Sequence, residues 1–189
     1  YPGARFDSES YSYAYSFSQE LLDEWDWSEH FASQPEILGY LQHVADKFDL
    51  LKDIQFSSNV RSAVYDEDSR CWQVEIDDGN TYRARFLITA VGVLSEPTLP
   101  RIGGMESFEG RSFHTARWPH EPVDFQGRRV AVIGTGASGV QTIQEVAKDV
   151  GHLTVFQRRP NWCAPLNNGK IESDEMGEIK ANYPEMFEL

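Results

Sequence analysis

Cysteine is almost absent: Cys71 and Cys163 are the only two among 189 residues, and they are far apart with no CxxC spacing. That excludes a disulfide framework, leaves one bridge as the maximum, and makes a reduced cytoplasmic protein the simpler expectation. Metal-ligand patterns are lacking too, because His30, His43, His114, His120 and His152 never fall at ligand spacing with another His or Cys. No window approaches the roughly 18 unbroken apolar residues that a membrane-spanning helix needs. The opening Tyr1-Pro2-Gly3-Ala4-Arg5 does not begin with Met, does not resemble a signal peptide, and reads like the middle of a loop. Positive charge is scarce as well: 17 basic against 30 acidic side chains give a formal net charge of -13. Such a surface repels phosphate backbones and anionic lipid, so nucleic acid and membrane surfaces are poor partners. An anionic cofactor must be held by local positive features.

What is present suffices for one substantial core, or for a domain plus part of a second, since 40% of residues are hydrophobic and 13% aromatic. Residues 1–17 are aromatic and turn-prone, with Tyr11, Tyr13 and Tyr15 alternating. They fit a core-covering loop or edge strand as well as a ligand-facing aromatic loop. Helices are expected at Ser18 to Trp25 and Pro35 to Phe48. In the second, Ile37, Leu38, Leu41, Val44, Ala45 and Phe48 make one apolar stripe. From Ile54 onward the period changes to two. Strands are expected at Phe56–Val60, Ser62–Tyr65 and Cys71–Ile76, with Asp-rich turns between them. The nearly continuous apolar run Phe86–Val91 reads as a strand buried on both faces. Residues 92–104 hold two prolines and three glycines and read as a crossover between domains. The acidic stretch Glu172 to Glu188 reads as a solvated helix lacking its neighbour.

A βαβ unit follows: a strand at Arg129–Ile133, a tight turn over Gly134–Gly139, a helix at Val140–Val150 and a strand at Leu153–Phe156. Gly134-Thr135-Gly136-Ala137-Ser138-Gly139 matches GxGxxG in the strand–turn–helix context the motif requires. In that context Gly134 permits the turn, Gly136 lets the backbone approach a pyrophosphate, and Gly139 lets helix and strand pack closely. The helix N-terminus, running on through Val140 and Gln141, supplies N–H donors and a partial positive charge. About twenty residues on, an NAD site would carry Asp or Glu for the ribose hydroxyls. This chain has Gln157-Arg158-Arg159-Pro160 instead. A guanidinium grips a 2′-phosphate where a carboxylate repels it, so NADP is expected over NAD, with Arg158 as the main ligand and Arg159 flanking. The alternative is that both arginines are solvated surface.

Phe108-Glu109-Gly110-Arg111-Ser112-Phe113-His114-Thr115-Ala116-Arg117-Trp118-Pro119 fits FxGxxxHxxxWP, and GxGxxG follows it. This combination resembles the signature of type I Baeyer–Villiger monooxygenases. Ser33-Gln34-Pro35-Glu36-Ile37 and Pro119-His120-Glu121-Pro122-Val123-Asp124-Phe125 also resemble stretches of phenylacetone- and steroid-type members. Tyr1-Pro2-Gly3-Ala4-Arg5-Phe6-Asp7 is similar to the closing half of the family's other signature, and Ala90-Val91-Gly92 to its crossover motif, more often Ala-Thr-Gly or Ala-Ser-Gly. Trp118-Pro119 favours this branch over the related N- and S-oxygenating flavoenzymes, which usually lack that ending.

The resemblance implies an α/β fold of two Rossmann-like dinucleotide-binding domains, for FAD and NADP, truncated here at both ends. Residues 1–96 would be the later part of the FAD domain with the crossover, and residues 97–189 an incomplete NADP domain. Asp7 would match the active-site aspartate that interacts with a catalytic arginine, and Arg5 to Asp7 would approach the nicotinamide. Tyr13 would lie near the flavin, Val60 would contact the adenine end of FAD, and His114 would couple domain rotation to catalysis. The implied reaction inserts one oxygen atom of O2 into a ketone, giving an ester or lactone. The catalytic arginine and the first glycine fingerprint would lie outside this chain. The segment alone is therefore expected to be inactive unless the missing N- and C-terminal parts come from elsewhere, for instance by fusion to a related enzyme. Alternatives are an N- or S-oxygenating enzyme or a non-catalytic NADP-binding fragment.

Overall fold

The computed structural model describes residues 1–188, and the chain divides into two compact units. One joins Tyr1–Val44 to the chain from Pro97 onward, and the other is Ala45–Glu96.

In the first unit, Ser18 caps helix α1 (Gln19–Glu24), its hydroxyl accepting from the Leu21 N–H at 3.3 Å. This helix buries Leu21 and Leu22 completely. Helix α2 (Gln34–Lys47) has Glu36 in its first turn and Lys47 in its last, both complementing the helix dipole. Its buried face differs from the expected stripe: Tyr40 and Val44 are buried, whereas Leu38 and Leu41 stay 45% and 44% exposed. Aromatic packing is the reason. Trp25 and Trp27 set their rings 5.2 and 5.0 Å from Tyr40 and so turn that side of the helix inward. The Tyr40 hydroxyl accepts from the Tyr15 N–H at 2.7 Å, which satisfies its buried polar tip.

Helix α4 (Ser173–Met186) is not the solvated helix expected of an acidic tail. Met176 and Tyr183 are buried in the same core as Leu21, Trp27 and Tyr40, and Ile179 and Phe187 pack against it. These four fall at i, i+3, i+7 and i+11, one apolar line that the surrounding carboxylates obscure. Burial pushes the Tyr183 hydroxyl up to about 12, with the nearby Tyr40 and Asp26 acting in the same direction. A raised phenol contributes stability that is fully present below the unfolded value near 10 and is lost as pH climbs through the folded one. Thermal melts between pH 9 and 12 are expected to fall more gently for Tyr183→Phe than for the parent. Equal slopes would count against this burial effect.

Residues 129–156 form the expected βαβ unit, with strands β4 (Arg129–Ile133) and β5 (His152–Phe156) parallel and paired from Arg129↔His152 to Ile133↔Phe156. Helix α3 runs Ala137–Val146, starting and ending earlier than the Val140–Val150 expected, because Gly136 already takes the extended N-cap conformation.

The second unit holds an antiparallel meander of β1 (Val60–Asp66), β2 (Cys71–Ile76) and β3 (Thr81–Ala84). The strands expected at Phe56–Val60 and Ser62–Tyr65 are replaced by the single strand β1, with an irregular register between Val60 and Ser62. Asp66 Oδ1 accepts from the N–H groups of Asp68 and Ser69 and shapes the first turn. Phe86–Val91 is not a strand, and Phe86, Ile88 and Val91 are 80%, 88% and 73% exposed. A doubly buried strand needs hydrogen-bonded neighbours and a layer on each face. Among the described residues none pairs with this run.

Candidate dinucleotide-binding site

The glycine loop is built as its chemistry requires. Gly134 adopts φ +105°, a conformation L-residues rarely take, and its N–H donates to the Phe156 carbonyl at 2.8 Å. A Cβ at Gly139 would sit 2.5 Å from the Gly134 carbonyl oxygen, so only hydrogen allows helix and loop to close. A Cβ at Gly136 would meet nothing within 4 Å, which leaves the approach to this backbone open. No side chain caps α3 at Gly136, and the first bond into the helix is Val140 N–H to the Gly136 carbonyl at 2.9 Å. The N–H groups of Ala137, Ser138 and Gly139 therefore lie at the positive end of the helix dipole, where a pyrophosphate is held. This open, uncapped cradle fits a dinucleotide.

Two side chains tie the cradle to the loop after β5. Thr135 Oγ1 donates to Gln157 Oε1 at 3.2 Å, and Asn161 Nδ2 donates to the Thr135 carbonyl. Arg158 and Arg159 sit between these anchors. Both are exposed, and among the described residues neither has an acidic partner.

The other face of α3 carries the N-terminal segment. Gln141 Nε2 donates to the Arg5 carbonyl at 3.1 Å, and Gln141 Oε1 accepts from the Tyr1 hydroxyl at 2.9 Å. A Cβ at Gly3, whose φ is +77°, would lie 2.5 Å from the Gln141 carbonyl oxygen. Arg5 to Asp7 are thereby fixed to the helix that begins at the glycine loop. The Arg5 guanidinium donates to Glu29 Oε2 at 3.0 Å, whereas Asp7 is exposed. Tyr13 is half-exposed and stacks on Phe6, with ring centres 4.3 Å apart and planes within 5°.

The FxGxxxHxxxWP segment folds on itself. His114 caps a single helical turn at Thr115–Arg117, its Nδ1 accepting from the Ala116 N–H at 3.1 Å. A ring nitrogen that accepts carries no proton, so Nε2 is the ring's donor, and among the described residues it has no partner. Trp118 packs between Phe113 at 5.3 Å and Phe125 at 6.1 Å. In the second unit, Val60 opens β1 and is 60% exposed. The described residues contain no group of three or more metal-ligating side chains and no helix long and apolar enough to cross a membrane.

The family model for flavin-binding monooxygenase-like proteins matches residues 16–169. The chain belongs to that family. Acetone monooxygenase (methyl acetate-forming) from Gordonia sp. is 46% identical over 98% of this chain and 35% of its own length. Phenazine N-monooxygenase from Lysobacter antibioticus is 43% identical over 100% of this chain and 35% of its own length. The solved OTEMO complex with FAD and NADP superposes with a TM-score of 0.93 at 46% identity, covering 100% of this chain and 36% of that one. The fold is that of the flavoproteins with two dinucleotide-binding domains. The chain spans about a third of the length of the relatives it matches.

Within this flavin-binding monooxygenase-like chain, several residues that shape the candidate site escaped the motifs. Gln157 and Asn161 bracket the two arginines, and a hydrogen-bonding side chain at each position was the available signal. Glu29 reaches Arg5 across 24 positions and Asn168 reaches Glu29 across 139, and no local pattern announces either.

Proposed function

We propose that this chain is the nucleotide-binding centre of an FAD- and NADPH-dependent Baeyer–Villiger monooxygenase, which converts a ketone and O2 to an ester or lactone. The observation that carries this reading is the FxGxxxHxxxWP signature preceding an open glycine cradle, with two arginines beyond its second strand that have no acidic partner among the described residues. NADPH would supply hydride, and FAD the activation of dioxygen. The α3 N-terminus holds the pyrophosphate through the Ala137, Ser138 and Gly139 N–H groups, with Thr135, Val140 and Gln141 shaping and anchoring the cradle. Arg158 grips the 2′-phosphate with parallel hydrogen bonds, and Arg159 adds charge beside it. Arg5 to Asp7 reach the nicotinamide. Asp7 pairs with an arginine from the rest of the enzyme, Tyr13 lines the flavin side, and Val60 contacts the adenine end of FAD. His114, with Nε2–H free, couples domain movement to turnover. Residues 1–96 then belong to the FAD domain and residues 97–189 to the NADP domain. Two free thiols suit a cytoplasmic setting.

The test is to join this chain to the flanking segments of a related enzyme, follow NADPH oxidation with an aryl ketone, and identify the product. Ester formation is expected. The 43% identity to a phenazine N-monooxygenase favours one rival, an N-oxygenating enzyme. Oxidation of an aromatic amine or N-heterocycle with no ester from any ketone would select it.

A further inference from the structure

Arg5 and Asp7 stand two residues apart, yet the Arg5 guanidinium is committed elsewhere. Its Nη1 donates to Glu29 Oε2 at 3.0 Å and to the Phe31 carbonyl at 3.1 Å. Asn168 Nδ2 donates to the same Glu29 oxygen at 2.7 Å, and Asn168 Oδ1 accepts from the Phe31 N–H at 3.0 Å. Backbone bridges Arg5↔Ser33 and Glu29↔Lys170 hold the three contributing segments together. The Arg5 and Glu29 side chains are only 27% and 35% exposed, so their charges are partly shielded from solvent screening. By contrast, the Asp7 carboxylate is exposed and makes no ion pair or hydrogen bond among the described residues.

An arginine on a short tether next to a carboxylate competes for it, because linkage raises its effective concentration. Here a carboxylate 24 residues away has won that competition, and an amide 139 residues away from Glu29 buttresses it. Such an arrangement keeps a negative charge unspent. We propose that Glu29 and Asn168 are positioning residues that sequester the Arg5 guanidinium, so that Asp7 stays available to a cation brought by the completed active site. The Gln141 bond to the Arg5 carbonyl completes the hold, fixing the main chain from the helix side while Glu29 fixes the side chain. The inference rests on the oxygenase reading of Asp7 given above.

A mutant cycle in the complete enzyme tests it, with ester formed per NADPH oxidised as the readout. Glu29→Gln is expected to lower that ratio about fivefold, because the released Arg5 turns to Asp7, with a smaller loss for Asn168→Ala. Arg5→Gln combined with Glu29→Gln removes only the competing guanidinium and keeps the Arg5 carbonyl that Gln141 holds. The readout is taken per NADPH oxidised, so a weakened nicotinamide contact at Arg5 slows turnover without entering it, and the double variant is expected to recover most of the ratio lost by Glu29→Gln alone. A purely structural role for Glu29 predicts the reverse, the double variant being no better than the single one. That result, or an unchanged ratio in Glu29→Gln, overturns the proposal. Should Glu29→Gln fail to fold, Asn168→Ala with and without Arg5→Gln gives the same comparison. If the parent enzyme makes ester but the cycle shows no recovery, the clasp alone is wrong. If the parent makes none, the oxygenase reading falls and takes the clasp with it.

Discussion

Replacing Arg158 with alanine is expected to raise the dissociation constant for NADPH thirtyfold or more, with NADH nearly unaffected. Hydrogen bonds to charged groups contribute about 1.5–3 kcal/mol each, and a bidentate guanidinium–phosphate contact makes two in parallel. Losing 2–3 kcal/mol is about a 30- to 150-fold change in affinity. Arg158 begins without an acidic partner among the described residues, so little intramolecular bonding has to be broken before it takes a phosphate. Arg159→Ala is expected to give a smaller loss, since it adds charge without the direct grip. Asn161→Ala should fall between them, because Asn161 ties this loop to Thr135. Fluorescence titration with both reduced nucleotides measures each effect. Parallel weakening of NADPH and NADH by Arg158→Ala would move the 2′-phosphate contact to another residue.

The sequence made the nucleotide cradle legible because each of its glycines answers a local backbone demand. The φ of Gly134, the 2.5 Å clearance at Gly139 and the open space at Gly136 are set within a few residues, and the flanking periodicity frames them. Where the sequence reading failed, the deciding partner lay far away. Tyr40 became the buried side of α2 because two tryptophans before it demanded an aromatic neighbour. The helix α4 was hidden by its own charge, for its apolar line shows only once the core it covers is known. Phe86–Val91 has the composition of a central strand, but composition cannot supply the neighbouring strands that make one. The Arg5 clasp is the extreme case, with Asn168 meeting Glu29 across 139 positions.

Trp27 is the residue on which the first unit's core turns, and Trp27→Ala is expected to cost about 3–5 kcal/mol of stability. Only 1% of Trp27 is exposed, and its ring meets Phe6 at 6.0 Å, Trp25 at 5.9 Å and Tyr40 at 5.0 Å. Each neighbour belongs to a different segment. Phe6 sits between Arg5 and Asp7 and stacks on Tyr13, Trp25 ends α1, and Tyr40 is the buried side of α2. Truncation would leave a cavity that three separate elements must relax into, and cores collapse least readily where several elements converge. Urea unfolding is expected to show a lower midpoint with little change in slope. The consequence should reach the site as well: Phe6 loses its edge contact, so the Arg5–Asp7 segment loses the apolar floor beneath it. Trp27→Phe keeps an aromatic plane of smaller area and is expected to retain more than half of the stability lost by alanine. A loss below about 0.5 kcal/mol for Trp27→Ala, the range of surface substitutions, would show that the aromatic cluster is held together without it.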